Sequence, residues 1–102
     1  KRFLMTFKEI RNKITENKTD LKCFGVKKIG FFGSRVRNEA VESSDIDIIV
    51  VFEEGKKNFD NFMDLHATLK NLYGEKIDLV TKESISKYLL PYIEEEAVYE
   101  EL

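Results

Sequence analysis

At 102 residues, 42% apolar and 35% charged, the chain has the composition of one small soluble globular domain over residues 1–102, with no room for a second, substrate-binding domain. A formal net charge of −2 gives no global attraction to polyanions and disfavours general nucleic-acid binding. No apolar stretch reaches the roughly 18–20 residues that span a bilayer, no signal peptide is evident, and the single Cys23 can form no internal disulfide; a reducing cytoplasm is expected, with Cys23 a small buried hydrophobe.

The chain begins with Lys1 rather than Met, so a few native residues are expected to be missing. Phe3, Phe7, Ile10 and Ile14 recur at spacings of four, three and four, one stripe of an amphipathic helix that should break near Asn17 to Asp20. Leu21 and Phe24 add an apolar turn before Gly25. Val26 to Phe32 reads as a first strand ending at Gly33, and Asp45 to Phe52 as a second, β-branched and suited to burial. After the loop of residues 53–57, Asn58 is a candidate N-cap for a helix whose stripe of Phe59, Phe62, Met63, His66, Leu69 and Tyr73 stops at Gly74. Lys76 to Thr81 is a third strand, Glu83 to Leu90 a predicted helix, and Pro91 the start of a new turn. Residues 97–99 suit a helix or a short edge strand.

Loop lengths then constrain topology. The stretch Gly33 to Ser44 is short for a parallel crossover but ample for an antiparallel connection between the first two strands. The longer connection through the Asn58 to Tyr73 helix suits a right-handed parallel crossover, which sets the third strand beside the second. The expected fold class is therefore α/β (α+β): a small mixed sheet of three to four strands with helices packed on it.

On that sheet Asp45 and Asp47 stand at the mouth of the second strand. Residues i and i+2 share a face with Cα atoms roughly 6.5–7 Å apart, so both carboxylates can reach one site. Asp78, set between Ile77 and Leu79, falls near them and would be costly to bury without a partner. Three carboxylates suit Mg²⁺, which commonly keeps substrate phosphates and waters as ligands, and a pair of such ions supports phosphoryl-type displacement. Gly33 allows close backbone approach to a ligand, the Ser34 hydroxyl can donate to phosphate oxygens, and Arg37 lies one turn on. No P-loop, dinucleotide fingerprint or EF-hand spacing is present. A bare Asp-x-Asp would also serve a sugar-nucleotide transferase.

Gly33-Ser34, ten intervening residues, Asp45-Ile46-Asp47 and the later Asp78 together resemble the DNA polymerase β-like nucleotidyltransferase superfamily, and more closely its minimal nucleotidyltransferases. The resemblance runs from the strand before Gly33 to Glu96-Ala97-Val98-Tyr99. It implies a polymerase β-like nucleotidyltransferase fold, ATP as substrate, two Mg²⁺ ions, and nucleotidyl transfer to a hydroxyl. It also implies that Ser34 contacts triphosphate, that Asp45 and Asp47 bind metal, and that Asp78 completes the metal site and acts as general base. Many such proteins are antitoxins paired with a HEPN-domain ribonuclease toxin, some of which adenylylate a toxin tyrosine. Where the family commonly has Ala-Arg-Gly, this chain has Val36-Arg37-Asn38; asparagine tolerates positive φ, so the turn can survive. The implied partner is a HEPN-domain protein, in a homo- or hetero-oligomer. The alternatives are a non-catalytic module that neutralises a partner by covering it, and an enzyme acting on RNA ends or small molecules.

Simpler roles are expected elsewhere. A salt bridge to Glu42 would account for Arg37, and one to Lys76 for Asp78. His66 is expected half-buried on its stripe, the Lys27-Lys28 and Lys56-Lys57 pairs at solvated loop ends, and Glu94 to Glu96 with Glu100 and Glu101 facing solvent. Tyr88, Tyr92 and Tyr99 are expected to be packing residues.

Overall fold

A computed structural model describes residues 4–102, so Phe3 of the predicted first stripe lies outside the described residues. Helix α1 (Phe7–Glu16) begins at a reciprocal cap: Thr6 Oγ1 accepts from the Glu9 N–H at 3.1 Å, and the Thr6 N–H donates to Glu9 Oε1 at 2.8 Å. Ile10 and Ile14 are fully buried as the spacing predicts. The break comes at Asn17, whose Nδ2 donates to the Lys13 carbonyl at 2.7 Å, and the short α2 (Lys18–Lys22) follows. Cys23 is exposed, against expectation; it closes α2, with Sγ 3.4 Å from the Thr19 carbonyl.

Strands β1 (Val26–Phe32), β2 (Ile46–Phe52), β3 (Ile77–Thr81) and β4 (Val98–Glu101) form one sheet in the order β3-β2-β1-β4. β1 runs antiparallel to both β2 and β4, while β2 and β3 are parallel, as the connection lengths require. Ile46, Ile48 and Val50 alternate onto one face, where they meet Ile29, Phe31 and Leu79 under α1, α2 and α3. All of the main apolar core lies on this side. The intervening Asp47 points to the other face.

Helix α3 (Phe59–Tyr73) carries its buried face on Leu65, Leu69 and Tyr73, with Phe62 and Leu72 packed beside them. The buried stripe is turned toward Leu65: Phe59 and Met63 of the predicted stripe are exposed, while His66 is half-buried as expected. Asn58 Oδ1 accepts from the Asn61 N–H at 2.8 Å, and Gly74 ends the helix at φ 60°.

The predicted helix over Glu83–Leu90 does not form. Lys82–Ser84 is a single 3₁₀ turn, Ile85 is extended, and helix α4 runs over Leu90–Glu96. Serine hydroxyls satisfy local backbone groups here: Ser84 Oγ donates to the Thr81 carbonyl, and Ser86 Oγ accepts from the Tyr88 N–H. Pro91, lacking an N–H, is tolerated only in a first turn, so it marks where a helix begins. In consequence Tyr88 and Tyr92 are exposed at 75% and 73%, not packed. Tyr99 does pack, its ring against Gly30 and beneath the Lys28 ammonium at 4.2 Å. Lys27 and Lys28 are thus strand residues rather than a loop end. Among the described residues no helix is long and apolar enough to cross a membrane.

Candidate active site

The open face of the sheet gathers the residues singled out by spacing. β1 ends at Phe32, and Gly33 turns the chain at φ 79° into a 3₁₀ turn over Gly33–Arg35. Two constraints require glycine there. Its φ lies where side chains are strained, and a Cβ built on it would collide with Asp47 Oδ2. Ser34 follows, half-buried. The Val36 and Arg37 N–H groups both donate to the Gly33 carbonyl, at 3.1 and 3.2 Å, and Asn38 takes φ 59° to leave the turn. Asparagine at this point does conformationally what glycine would do.

Asp45 immediately precedes β2, half-buried, and Asp47 is its second residue. The parallel register pairs Asp47 with Asp78 of β3, while the antiparallel one pairs it with Phe32, the residue before Gly33. Asp78 is exposed rather than buried, because it projects to the open face between two residues that project to the core. Lys76 pairs weakly with Asp45 at 4.0 Å and not with Asp78.

Electrostatics report the crowding. Burial raises the Asp47 carboxyl to about 6, Asp78 and then Asp45 push it the same way, Arg37 partly offsets them, and Glu96 adds to the rise. An anion cluster with that imbalance favours a cation. Among the described residues no three acidic, imidazole or thiol groups converge closely enough to enclose a metal ion by themselves. The donor set still fits Mg²⁺, which is commonly held by one or two carboxylates with substrate phosphates and water completing the shell.

Arg37 does not meet Glu42. Its Nε donates to Glu39 Oε1 at 2.8 Å and its Nη1 to Glu96 Oε1 at 2.6 Å, and both contacts raise the guanidinium's pKa. Glu96, expected in solvent, instead turns inward, with Oε2 accepting from the Gly33 N–H at 2.7 Å. Burial works to raise its carboxyl, but the Gly33 N–H and Arg37 outweigh it and hold the group below the usual carboxylate range. Glu100 is likewise drawn in, to Arg11 at 2.5 Å, and Glu94 meets the Tyr99 hydroxyl at 3.2 Å and Lys82 at 3.4 Å. Glu95 and Glu101 are exposed as expected.

Arg35 was not singled out by the sequence, yet it braces the site. Its side chain is 3% exposed, and Nη2 donates to the Ser44 carbonyl at 2.8 Å and to Glu75 Oε1 at 2.7 Å. One guanidinium therefore ties the turn after β1 to the residue before Asp45 and to the approach of β3. The single sequence signal was an arginine directly after Gly33-Ser34, with nothing to show that it points inward.

Comparison with known proteins gives the family and the fold. A family model described as "Nucleotidyltransferase domain" matches residues 8–100. The chain is 41% identical over 97 residues to a Thermococcus cleftensis protein named protein adenylyltransferase MntA, covering 94% of this chain and 97% of that one. It is 39% identical over 99 residues to a Methanocaldococcus jannaschii protein that carries the adenylyltransferase name provisionally, covering 94% and 99%. A solved structure provisionally described as a minimal nucleotidyltransferase superposes with a TM-score of 0.79 at 29% identity, over 92% of this chain and 95% of that one. A toxin–antitoxin structure with AMP-PNP shares the fold, with a TM-score of 0.65 at 24% identity over 86% and 69%.

Proposed function

Because this chain belongs to the nucleotidyltransferase domain family and is an enzyme of that class, we propose that it transfers AMP from ATP to a hydroxyl of a partner protein. The observation that carries the site assignment is the β2–β3 register, which sets Asp78 beside Asp47, with Asp45 two residues back on the same face.

In this reading Asp45, Asp47 and Asp78 hold two Mg²⁺ ions. The ions supply charge neutralisation for the triphosphate and for the attacking and leaving oxygens. Gly33 lets the backbone approach the phosphates, and the Ser34 hydroxyl and Arg37 guanidinium donate to their oxygens. The acceptor oxygen attacks the α-phosphorus as the bond to the β-phosphate oxygen breaks, releasing pyrophosphate. Asp78, the most exposed of the three carboxylates, accepts the acceptor's proton.

A protein acceptor is supported by the adenylyltransferase name of the Thermococcus cleftensis relative, and an antitoxin role by the fold shared with a solved toxin–antitoxin that carries AMP-PNP. We assign the partner to the HEPN class on the sequence resemblance. Tyr88, Leu89 and Tyr92, exposed at 75%, 58% and 73% around the start of α4, offer such a partner an apolar contact.

The test is intact-protein mass spectrometry of the chain with its partner and Mg-ATP. A mass gain of one or more AMP units on the partner is expected, reduced at least about 100-fold in rate by Asp45→Asn or Asp47→Asn. Wild-type transfer by either variant would sink the two-metal assignment. Undiminished neutralisation of the partner by the Asp47→Asn variant, with no mass change for either protein, would replace the enzymatic reading with a covering module.

A further inference from the structure

We propose that Glu96 is an internal stand-in for phosphate: its carboxylate latches the Gly33 N–H and the Arg37 guanidinium until incoming triphosphate displaces it. The inference rests on the reading of this site as an ATP site and goes beyond it, because it assigns a residue that sets which anions can enter.

The geometry is that of an occupied anion receptor. One carboxylate oxygen sits 2.7 Å from the Gly33 nitrogen and the other 2.6 Å from Arg37 Nη1, so a single anion bridges a backbone donor and a guanidinium. Those are the two kinds of donor that recognise phosphate oxygens. The chain delivers the carboxylate reliably. The Ala97 N–H caps α4 on the Ile93 carbonyl at 2.8 Å, and Val98 then pairs with Phe31 in the sheet, two residues before Gly33. Glu96 is therefore held at the end of a helix and the start of a strand, next to the turn it contacts.

A latch and a structural brace differ in how firmly they hold. The Arg37 side chain is 48% exposed and shared with Glu39, so water and a second carboxylate compete for the guanidinium even though Glu96 itself is only 24% exposed, and such a pair contributes less than a fully buried one. Arg35 performs the bracing of this turn from a buried position, which leaves the Glu96 contacts free to exchange. Only an anion dense enough in charge to replace a carboxylate already in place gains entry, which favours metal-neutralised polyphosphate over single weak anions.

Titration calorimetry with Mg-ATP, and separately with magnesium and inorganic tripolyphosphate, on wild type, Glu96→Ala and Glu96→Gln decides it. Unfolding midpoints confirm that each variant is folded, and Glu96→Gln keeps the side-chain volume should Glu96→Ala fold poorly. The latch predicts that both ligands bind about 3- to 10-fold more tightly to the variants, since a charge-assisted contact no longer has to be broken. Unchanged or weaker binding to folded variants, with wild type still binding Mg-ATP, makes Glu96 a positioning residue and overturns the latch while leaving the ATP site standing. Absence of Mg-ATP binding by wild type and variants alike overturns the ATP reading and the latch with it.

Discussion

Asp47 titrates near 6 because burial and its neighbours Asp78 and Asp45 oppose its charge, and the direction of that shift sets the pH response of the metal-free protein. The folded state holds this proton more tightly than the unfolded chain, whose carboxyl titrates at about 4. Stability from this group is therefore intact below about pH 4, is lost as pH rises toward 6, and stays lost above it. A shift of that size corresponds to about 3 kcal/mol unscreened, but Asp47 is only half-buried, so about 1 kcal/mol is the expected effect. Denaturant unfolding in chelator should show Asp47→Asn more stable than wild type by about that amount at pH 7.5 and not at pH 4. A wild-type advantage at pH 7.5 would contradict the crowding. The grouping of Gly33, Asp45 and Asp47 was legible in short spacings and the positive φ of Asn38 in its residue type, while Asp78, 31 positions beyond Asp47, was reached only through the parallel crossover. Glu96 and Arg35 were not, because their key contacts join residues 63 and 40 positions apart, and a charged side chain carries no mark of where it will point.

Among the elements, those fixed by alternation or by capping were readable, and the one set by local serine and proline chemistry was not. β2 followed its β-branched run, α1 its stripe, and α3 the Asn58 cap and Gly74 stop. The segment after β3 reads as a helix over Glu83–Leu90 with a new turn starting at Pro91; the turn at Pro91 is the first of α4 and places Glu96 beside Gly33, while the helix before it does not form. The turn between β1 and β2 depends on Arg35 in the same distributed way. Arg35→Ala leaves Glu75, whose side chain is 10% exposed, facing no cation and frees the Ser44 carbonyl. Breaking a buried pair by removing one partner costs about 3–5 kcal/mol. Arg35→Ala should therefore lower stability by that order in denaturant unfolding, and its remaining folded fraction should bind Mg-ATP more weakly because the residue before Asp45 is untethered. Both bonds leave the one nitrogen Nη2, so an ammonium can in principle serve both acceptors, but lysine's shorter reach should let it recover only part of the loss. Retained stability in Arg35→Lys would show that charge alone is sufficient at this position.

Across the whole molecule, stability and chemistry occupy opposite faces of one sheet. The β2 strand illustrates it residue by residue: Ile46, Ile48 and Val50 enter the main core, while Asp47 looks toward Gly33 and Asp78. The core cluster and the carboxylate cluster have no residue in common, so perturbations of the two should separate. Leu69, fully buried on α3, belongs wholly to the core side. Leu69→Ala should cost about 2–5 kcal/mol, a large share of the 5–15 kcal/mol typical of a whole domain. Its folded molecules should nevertheless bind Mg-ATP within about twofold of wild type, because distant sites with no shared partners behave additively. Asp78→Asn is expected to do the reverse, leaving the unfolding midpoint in chelator unchanged or higher while weakening Mg-ATP binding at least about tenfold through the loss of one carboxylate from the cluster. Calorimetric affinity and denaturant midpoint, measured on the same two variants, form a crossed pair. If Leu69→Ala weakens Mg-ATP binding in proportion to its lost stability while the protein remains folded, the two faces are coupled through the sheet and the separation fails.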